Sequence, residues 1–144
     1  LAFGWGIPAI MHPNRKENTM KLFTQTELDQ LLENGKPENH GKDHLPVACI
    51  FLNGTGGTLV ITELRTTKPF YAYGLCDLSA DCCKLMHFDL DKLIVMATEN
   101  GYEAKRDPNF TPTHPVSVFA KSAKRRRVVS LMEHVLNLSD NAQG

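Results

Sequence analysis

The chain has no net charge, no apolar stretch long enough to cross a bilayer, and no nucleotide-binding or zinc-knuckle signature. Its 16 Lys and Arg balance 16 Asp and Glu, and the pI is near 7.2. No global field therefore draws it to nucleic acid or to an anionic membrane. The apolar stretch Leu1 to Ile10 falls well short of the about 20 residues a membrane span takes, and it lacks the cationic start of a signal peptide. The four cysteines form no Cys-x-x-Cys pair, which argues against a zinc ribbon or finger. Gly54-Thr55-Gly56-Gly57 lacks the Lys-Ser/Thr of a phosphate-binding loop and leads into a strand pattern, so it reads as a hairpin turn. There is no internal repeat and no low-complexity tract.

What is present is globular. Hydrophobic residues make up 42% and charged residues 22% of 144 residues, enough for one core of moderate size. Met20-Lys21-Leu22-Phe23 reads as a natural chain start, so the expected organisation is an extension over 1–19, one α+β domain over 20–139 and a disordered tail over 140–144. The apolar arm at Leu1 to Ile10 either adds little to the fold or packs on its own domain or a partner. Cys49 and Cys76 sit in apolar strand patterns, and adjacent Cys82 and Cys83 are poor partners for one another. Free thiols in a reducing, cytoplasmic setting are expected, which leaves the glycosylation pattern Asn53-Gly54-Thr55 idle.

Local patterns place the elements. Thr24-Gln25-Thr26-Glu27 is a capping box, Phe23 and Leu28 have staple spacing, and Leu28, Leu31 and Leu32 form a helical stripe that Gly35 is expected to end in a left-handed stop. Strand patterns follow at Pro46 to Leu52, Thr58 to Leu64, Phe70 to Leu78 and Cys83 to Phe88, with turns at Asn53 to Gly57, Arg65 to Pro69 and Ser79 to Asp81. Gly74 inside the third strand marks a bulge or a close backbone approach. Asp89 caps a second helix, with Phe88 and Leu93 as its staple, that carries Leu90, Leu93, Ile94 and Ala97 and ends at Gly101. Tyr102 to Arg106 is a candidate fifth strand. Pro115 opens a third helix through Val116, Phe119, Ala120 and Ala123, and a second stripe of different phase runs over Val128, Leu131, Met132, Val135 and Leu138. The expected fold is α+β: a single antiparallel meander of four to five strands with an N-terminal helix, a mid-chain helix and one or two C-terminal helices packed on it.

The motifs Met20-Lys21-Leu22-Phe23-Thr24, Thr58-Leu59-Val60-Ile61-Thr62-Glu63-Leu64, Tyr73-Gly74-Leu75-Cys76-Asp77-Leu78 and Phe88-Asp89-Leu90-Asp91-Lys92-Leu93 occur in this order. That order resembles a family of small bacterial proteins of unknown function, numbered 2958 among such families. The resemblance runs from about Met20 to Lys124 and is most specific at Thr62-Glu63-Leu64 and Gly74 to Leu78. Leu59 stands where the family usually has Trp, Cys82-Cys83 replaces a Pro-Glu-Leu-Gly type continuation, and a helix after Arg127 is added. The resemblance implies a setting on bacterial plasmids, phages or integrative conjugative elements, and no particular reaction.

Four constellations bear on chemistry. Glu63 and Asp77 fall near the ends of neighbouring strands, where paired carboxylates share a proton or hold a cation if close, and otherwise cap turns. Cys76, Cys82, Cys83 and His87 are soft zinc ligands near one another in sequence but wrongly spaced for a standard site. Cys76 with His87 or His114 is a conceivable nucleophile pair, opposed by the acidic Asp77 beside the thiol. Lys121, Lys124, Arg125, Arg126 and Arg127 make a basic run able to meet phosphates or an acidic partner, though no aromatic interleaves with it and such runs commonly only solvate a helix. No cofactor and no membrane partner is expected. The leading reading is a non-enzymatic accessory or regulatory protein of a mobile element that binds a protein partner or itself. The alternatives are a nucleic-acid-binding protein using the basic helix and a small metal- or Cys-dependent enzyme.

Overall fold

The computed structural model of the chain describes residues 19–53, 57–65, 71–78, 83–126, 129–132 and 135–138. The Leu1 to Ile10 arm, the turn tips at 54–56, 66–70 and 79–81, Cys82, the Arg126 side chain, Arg127, Val128 and the polar tail lie outside the described residues.

Helix α1 (Gln25–Asn34) begins where the sequence supplies its cap. Thr24 Oγ1 accepts the Glu27 amide at 3.1 Å while Glu27 Oε1 accepts the Thr24 amide at 3.0 Å, so both halves of the capping box form. Gly35 corrects the sequence reading. Its φ is −84°, in the right-handed region, so it is no left-handed stop. Glycine is needed there for space, because a Cβ would lie 2.4 Å from the Leu64 carbonyl oxygen. Helix α2 (Leu90–Glu99) starts on Asp89, whose Oδ1 accepts the Lys92 amide at 2.9 Å. It ends in a Schellman motif: Gly101 takes φ 85°, and the Tyr102 amide donates to the Ala97 carbonyl at 2.9 Å. Helix α3 (Val116–Arg126) follows directly on Pro115, one residue later than expected.

Strands β1 (Ala48–Asn53), β2 (Gly57–Arg65), β3 (Tyr71–Asp77) and β4 (Lys84–Asp89) form the anticipated antiparallel meander. Strand β5 (Glu103–Arg106) does not extend it beyond β4. Helix α2 crosses the sheet, and β5 pairs antiparallel with β1, giving the order β4-β3-β2-β1-β5.

Both faces of the sheet are covered. On the first, α1 and α2 bury Leu28, Leu31, Leu90 and Ala97 against Ile50, Leu59, Ile61 and Leu64. On the second, α3 lays Val116, Phe119 and Ala123 over Cys49, Val60 and Leu75, joined by Val129, Leu131 and Leu136 from the segment that follows. Among the described residues of that segment 135–138 are helical, and it is docked on the core through Val129, Leu131 and Leu136. Each fully buried aliphatic side chain contributes about 1.5–3 kcal/mol, which is why the central β2, covered on both faces, anchors the fold. Among the described residues no helix is long and apolar enough to cross a membrane.

One irregularity in β2 decides where its side chains point. Ile61 pairs with Gly74 and Glu63 pairs with Tyr73, so Thr62 is an extra residue. Strict alternation from Leu59 and Ile61 would send Glu63 toward α1. The bulge instead turns Glu63 to the face of Val60 and gives its place on the α1 side to Leu64.

Candidate functional site

The bulge assembles a polar cluster at the end of the sheet nearest the start of α3. Thr62 is satisfied on both sides: its Oγ1 donates to the Tyr73 carbonyl at 3.2 Å, and its own carbonyl accepts from Asn34 Nδ2 at 2.9 Å. Glu63 is 1% exposed, and its Oε2 accepts the Gly41 amide at 3.0 Å. Gly41 has φ 83°, which lets the loop after α1 turn its amide inward. His44 Nε2 lies 3.9 Å from Glu63 Oε2 and donates to the Asn39 carbonyl at 2.8 Å. On its other side His44 lines an open groove of about 540 Å³ with Glu27, Gln30, Asn34, Leu45 and Phe110.

The same loop reaches α3. Asp43 Oδ1 accepts the Ser117 amide at 3.0 Å and Oδ2 accepts the Ser117 hydroxyl, while the His44 carbonyl accepts the Val116 amide at 2.9 Å. Asp43 thus supplies a helix cap from far away in sequence, with its charge at the positive end of the helix. Across the sheet, Tyr73 packs against His87 with ring centroids 4.7 Å apart and planes tilted by 48°. Burial, with Glu63 and Asp43 adding to it, holds the Tyr73 phenol above its ordinary range.

The carboxylates singled out in sequence are not brought together. Asp77 pairs with Thr58 at the far end of β2, roughly 15 Å from Glu63 at the rise of a strand, and it is buried in an interaction of its own. Glu63 has Tyr73, His44 and Asp43 as neighbours instead.

The sulfur chemistry is dispersed as well. Cys76 is buried on the α1 face, whereas His87 stands on the opposite face. Burial, and then Asp77, pushes the Cys76 thiol up to about 11; burial, and then Asp107, pushes Cys49 up to about 12. His114 is held between Thr113 Oγ1 at 3.2 Å and Asn137 Oδ1 at 2.7 Å. Cys83 corrects the expectation of free thiols, since it is disulfide-bonded while Cys49 and Cys76 are free. Sequence spacing constrains such a bond weakly, because closure depends on where the Cβ atoms lie. Among the described residues no three His, Cys, Asp or Glu side chains group as metal ligands, and Cys82 lies outside them.

The basic run occupies the C-terminal half of α3. Lys121 is half-buried, and Lys124 and Arg125 are exposed. Spacings of three and four put all three on one helical face, away from the buried Phe119 and Ala123. None of the three forms an ion pair among the described residues. The neighbouring segment exposes Met132 and Leu138.

In comparison with known proteins, residues 22–130 match the family model described as Protein of unknown function (DUF2958). No curated protein and no solved structure matches the chain.

Proposed function

The chain belongs to the DUF2958 family, and we propose that it works by binding rather than by catalysis, as an accessory or regulatory protein of a bacterial mobile genetic element that holds an acidic protein surface with helix α3. One observation carries this reading: Lys121, Lys124 and Arg125 share a face of a helix whose other side is fixed in the core, and no acidic side chain among the described residues answers them. Like charges at these spacings destabilise a helix by about 0.2–0.5 kcal/mol per pair, and an anionic partner relieves that repulsion. The resemblance in motif order supports the mobile-element setting.

A nucleic acid is the second reading, since the same cations suit phosphates. Two features favour a protein. No exposed aromatic stands on α3 for bases to stack on. Exposed Met132 and Leu138 belong to the segment packed on the same core as α3, and apolar anchors beside cations suit a protein interface.

Fluorescence anisotropy of the full chain with a labelled glutamate-rich peptide and a labelled DNA duplex of matched charge separates these readings. The expected result is tighter binding to the peptide, weakening with salt and reduced about tenfold or more when Lys121, Lys124 and Arg125 are all changed to Ala. Tighter, steeply salt-dependent binding to DNA transfers the function to nucleic acid. No binding to either at low salt removes both.

A further inference from the structure

A cavity of about 530 Å³ opens beside the C-terminal end of α1, against the end of β2. Leu32, Pro37 and Leu64 give it apolar walls, and Lys36, His40 and Arg65 supply the polar ones. Gly35 makes the junction tight: with no side chain, it lets the end of α1 close on the Leu64 carbonyl. Among the described residues that line the cavity there is no carboxylate. Sites for small molecules have this size and this make-up, an apolar lining with a few polar groups.

Basic residues beyond the end of a helix often serve its last carbonyls. Here the chain serves them itself. The Leu31 carbonyl accepts the Gly35 amide at 3.1 Å, and the Glu33 carbonyl accepts the Lys36 amide at 3.3 Å and Asn39 Nδ2 at 2.9 Å. The Asn39 and His40 amides both donate to the Lys36 carbonyl at 2.8 Å, so the wall from Lys36 to His40 is held by the chain before any ligand arrives.

Charge decides what fits. Lys36 Nζ is held by Glu33 at 2.8 Å, and Glu38 stands near it as well, so its charge is answered. His40 carries a ring N–H in either neutral tautomer. Arg65 is half-buried, and among the described residues its guanidinium has neither an ion pair nor a hydrogen bond. A guanidinium is always charged, and its fork of donors matches a carboxylate. The cavity therefore sets one unanswered cation beside apolar walls. We propose that it binds a small apolar monocarboxylic acid, whose carboxylate meets Arg65 and His40 while its hydrocarbon part covers Leu32, Pro37 and Leu64. A doubly charged phosphate suits it less, because Glu33 and Glu38 already offset Lys36. The site shares no residue with the cationic face of α3 and stands or falls apart from it.

The test is an NMR titration of the full chain at physiological ionic strength with octanoate, and in parallel with acetate, 1-octanol and octyl phosphate. Octanoate is expected to shift the amide signals of Gly35, Lys36, Leu64 and Arg65 saturably. Acetate lacks the body and octanol the charge, and each is expected to bind about tenfold or more weakly than octanoate. Arg65→Gln is expected to weaken octanoate binding about tenfold, whereas Lys105→Gln, at an exposed cation on β5, leaves it unchanged. If Arg65→Gln does not fold, Pro37→Glu takes its place. That position is exposed, and a carboxylate at the lip of the cavity is expected to weaken binding about tenfold as well. The proposal is overturned if octanoate does not saturate or if its shifts map elsewhere. It is equally overturned if acetate or octanol binds as well, if octyl phosphate binds more tightly, or if the folded variants bind as the wild type does.

Discussion

Asn34 Nδ2 donates to the Thr62 carbonyl at 2.9 Å, so the last residue of α1 holds the one extra residue of β2. Asn34 is 6% exposed, and its Oδ1 is in turn oriented by Gln30 at 2.8 Å. Replacing Asn34 by Ala strands a buried carbonyl and is expected to cost about 1–3 kcal/mol in chemical denaturation. It should also speed amide exchange in the 60–64 stretch more than in β4.

Gly74 faces Ile61 beside the bulge, and a Cβ there would lie 2.0 Å from the Val60 carbonyl oxygen. The nearest atoms are all backbone, of Val60 and Ile61, so nothing flexible is there to move. Gly74→Ala is therefore expected to destabilise by more than about 3 kcal/mol, or to abolish folding. Gly41→Ala meets open space and carries only the strain of φ 83°, which costs about 1–2 kcal/mol. Thermal melts of the two variants check the order.

Asp43 caps α3 across a long sequence separation. Asp43→Ala is expected to cost about 1–2 kcal/mol, because it removes both the cap and a charge favoured at the helix start. Ser117→Ala keeps the bond from the residue 117 amide and should cost less. Equilibrium urea unfolding of both variants decides this. Equal losses would show that the Ser117 hydroxyl, and not the amide, makes the capping contact.

Cys49 and Cys76 give the fold a weakness in alkali. Their folded-state thiols are held at about 12 and about 11, against 9.0 for an ordinary thiol. Between those values the unfolded chain has lost protons that the folded chain keeps. Stability is full below pH 9 and falls as pH rises toward 11–12. Tyr73, also raised, acts in the same direction. Urea midpoints are expected to drop above pH 9. At pH 8 the native protein should leave Cys49 and Cys76 unlabelled by iodoacetamide until it is unfolded.

Much of this architecture is legible in the chain because it is written locally. Thr24 with Glu27, and Asp89 with Gly101, fix helix ends within a few residues of themselves, and alternation over β1 to β4 places the strands. Gly74 is legible as a close approach because glycine inside a strand has few other uses. The bulge is not legible. Thr62 is flanked by Ile61 and Glu63 in a run with no Gly or Pro, so period two assigns Glu63 to the wrong face and hides its pairing with Tyr73. Gly35 misleads for a related reason: composition cannot tell a need for positive φ from a need for space against Leu64. The cap from Asp43, the Tyr73–His87 ring contact and the pairing of β5 with β1 are distant contacts with no local signature. The cations of α3 are visible in sequence, but that their face is the exposed one follows from where Phe119 and Ala123 are buried.

The most direct test of the binding role is charge reversal on α3. Lys124→Glu with Arg125→Glu alters two exposed side chains and should leave the melting temperature unchanged. The expected result is a loss of affinity of about tenfold or more for a glutamate-rich peptide, with new affinity for a lysine-rich one. A folded double variant that binds the glutamate-rich peptide as tightly as the wild type would contradict the assignment of α3 as the binding surface.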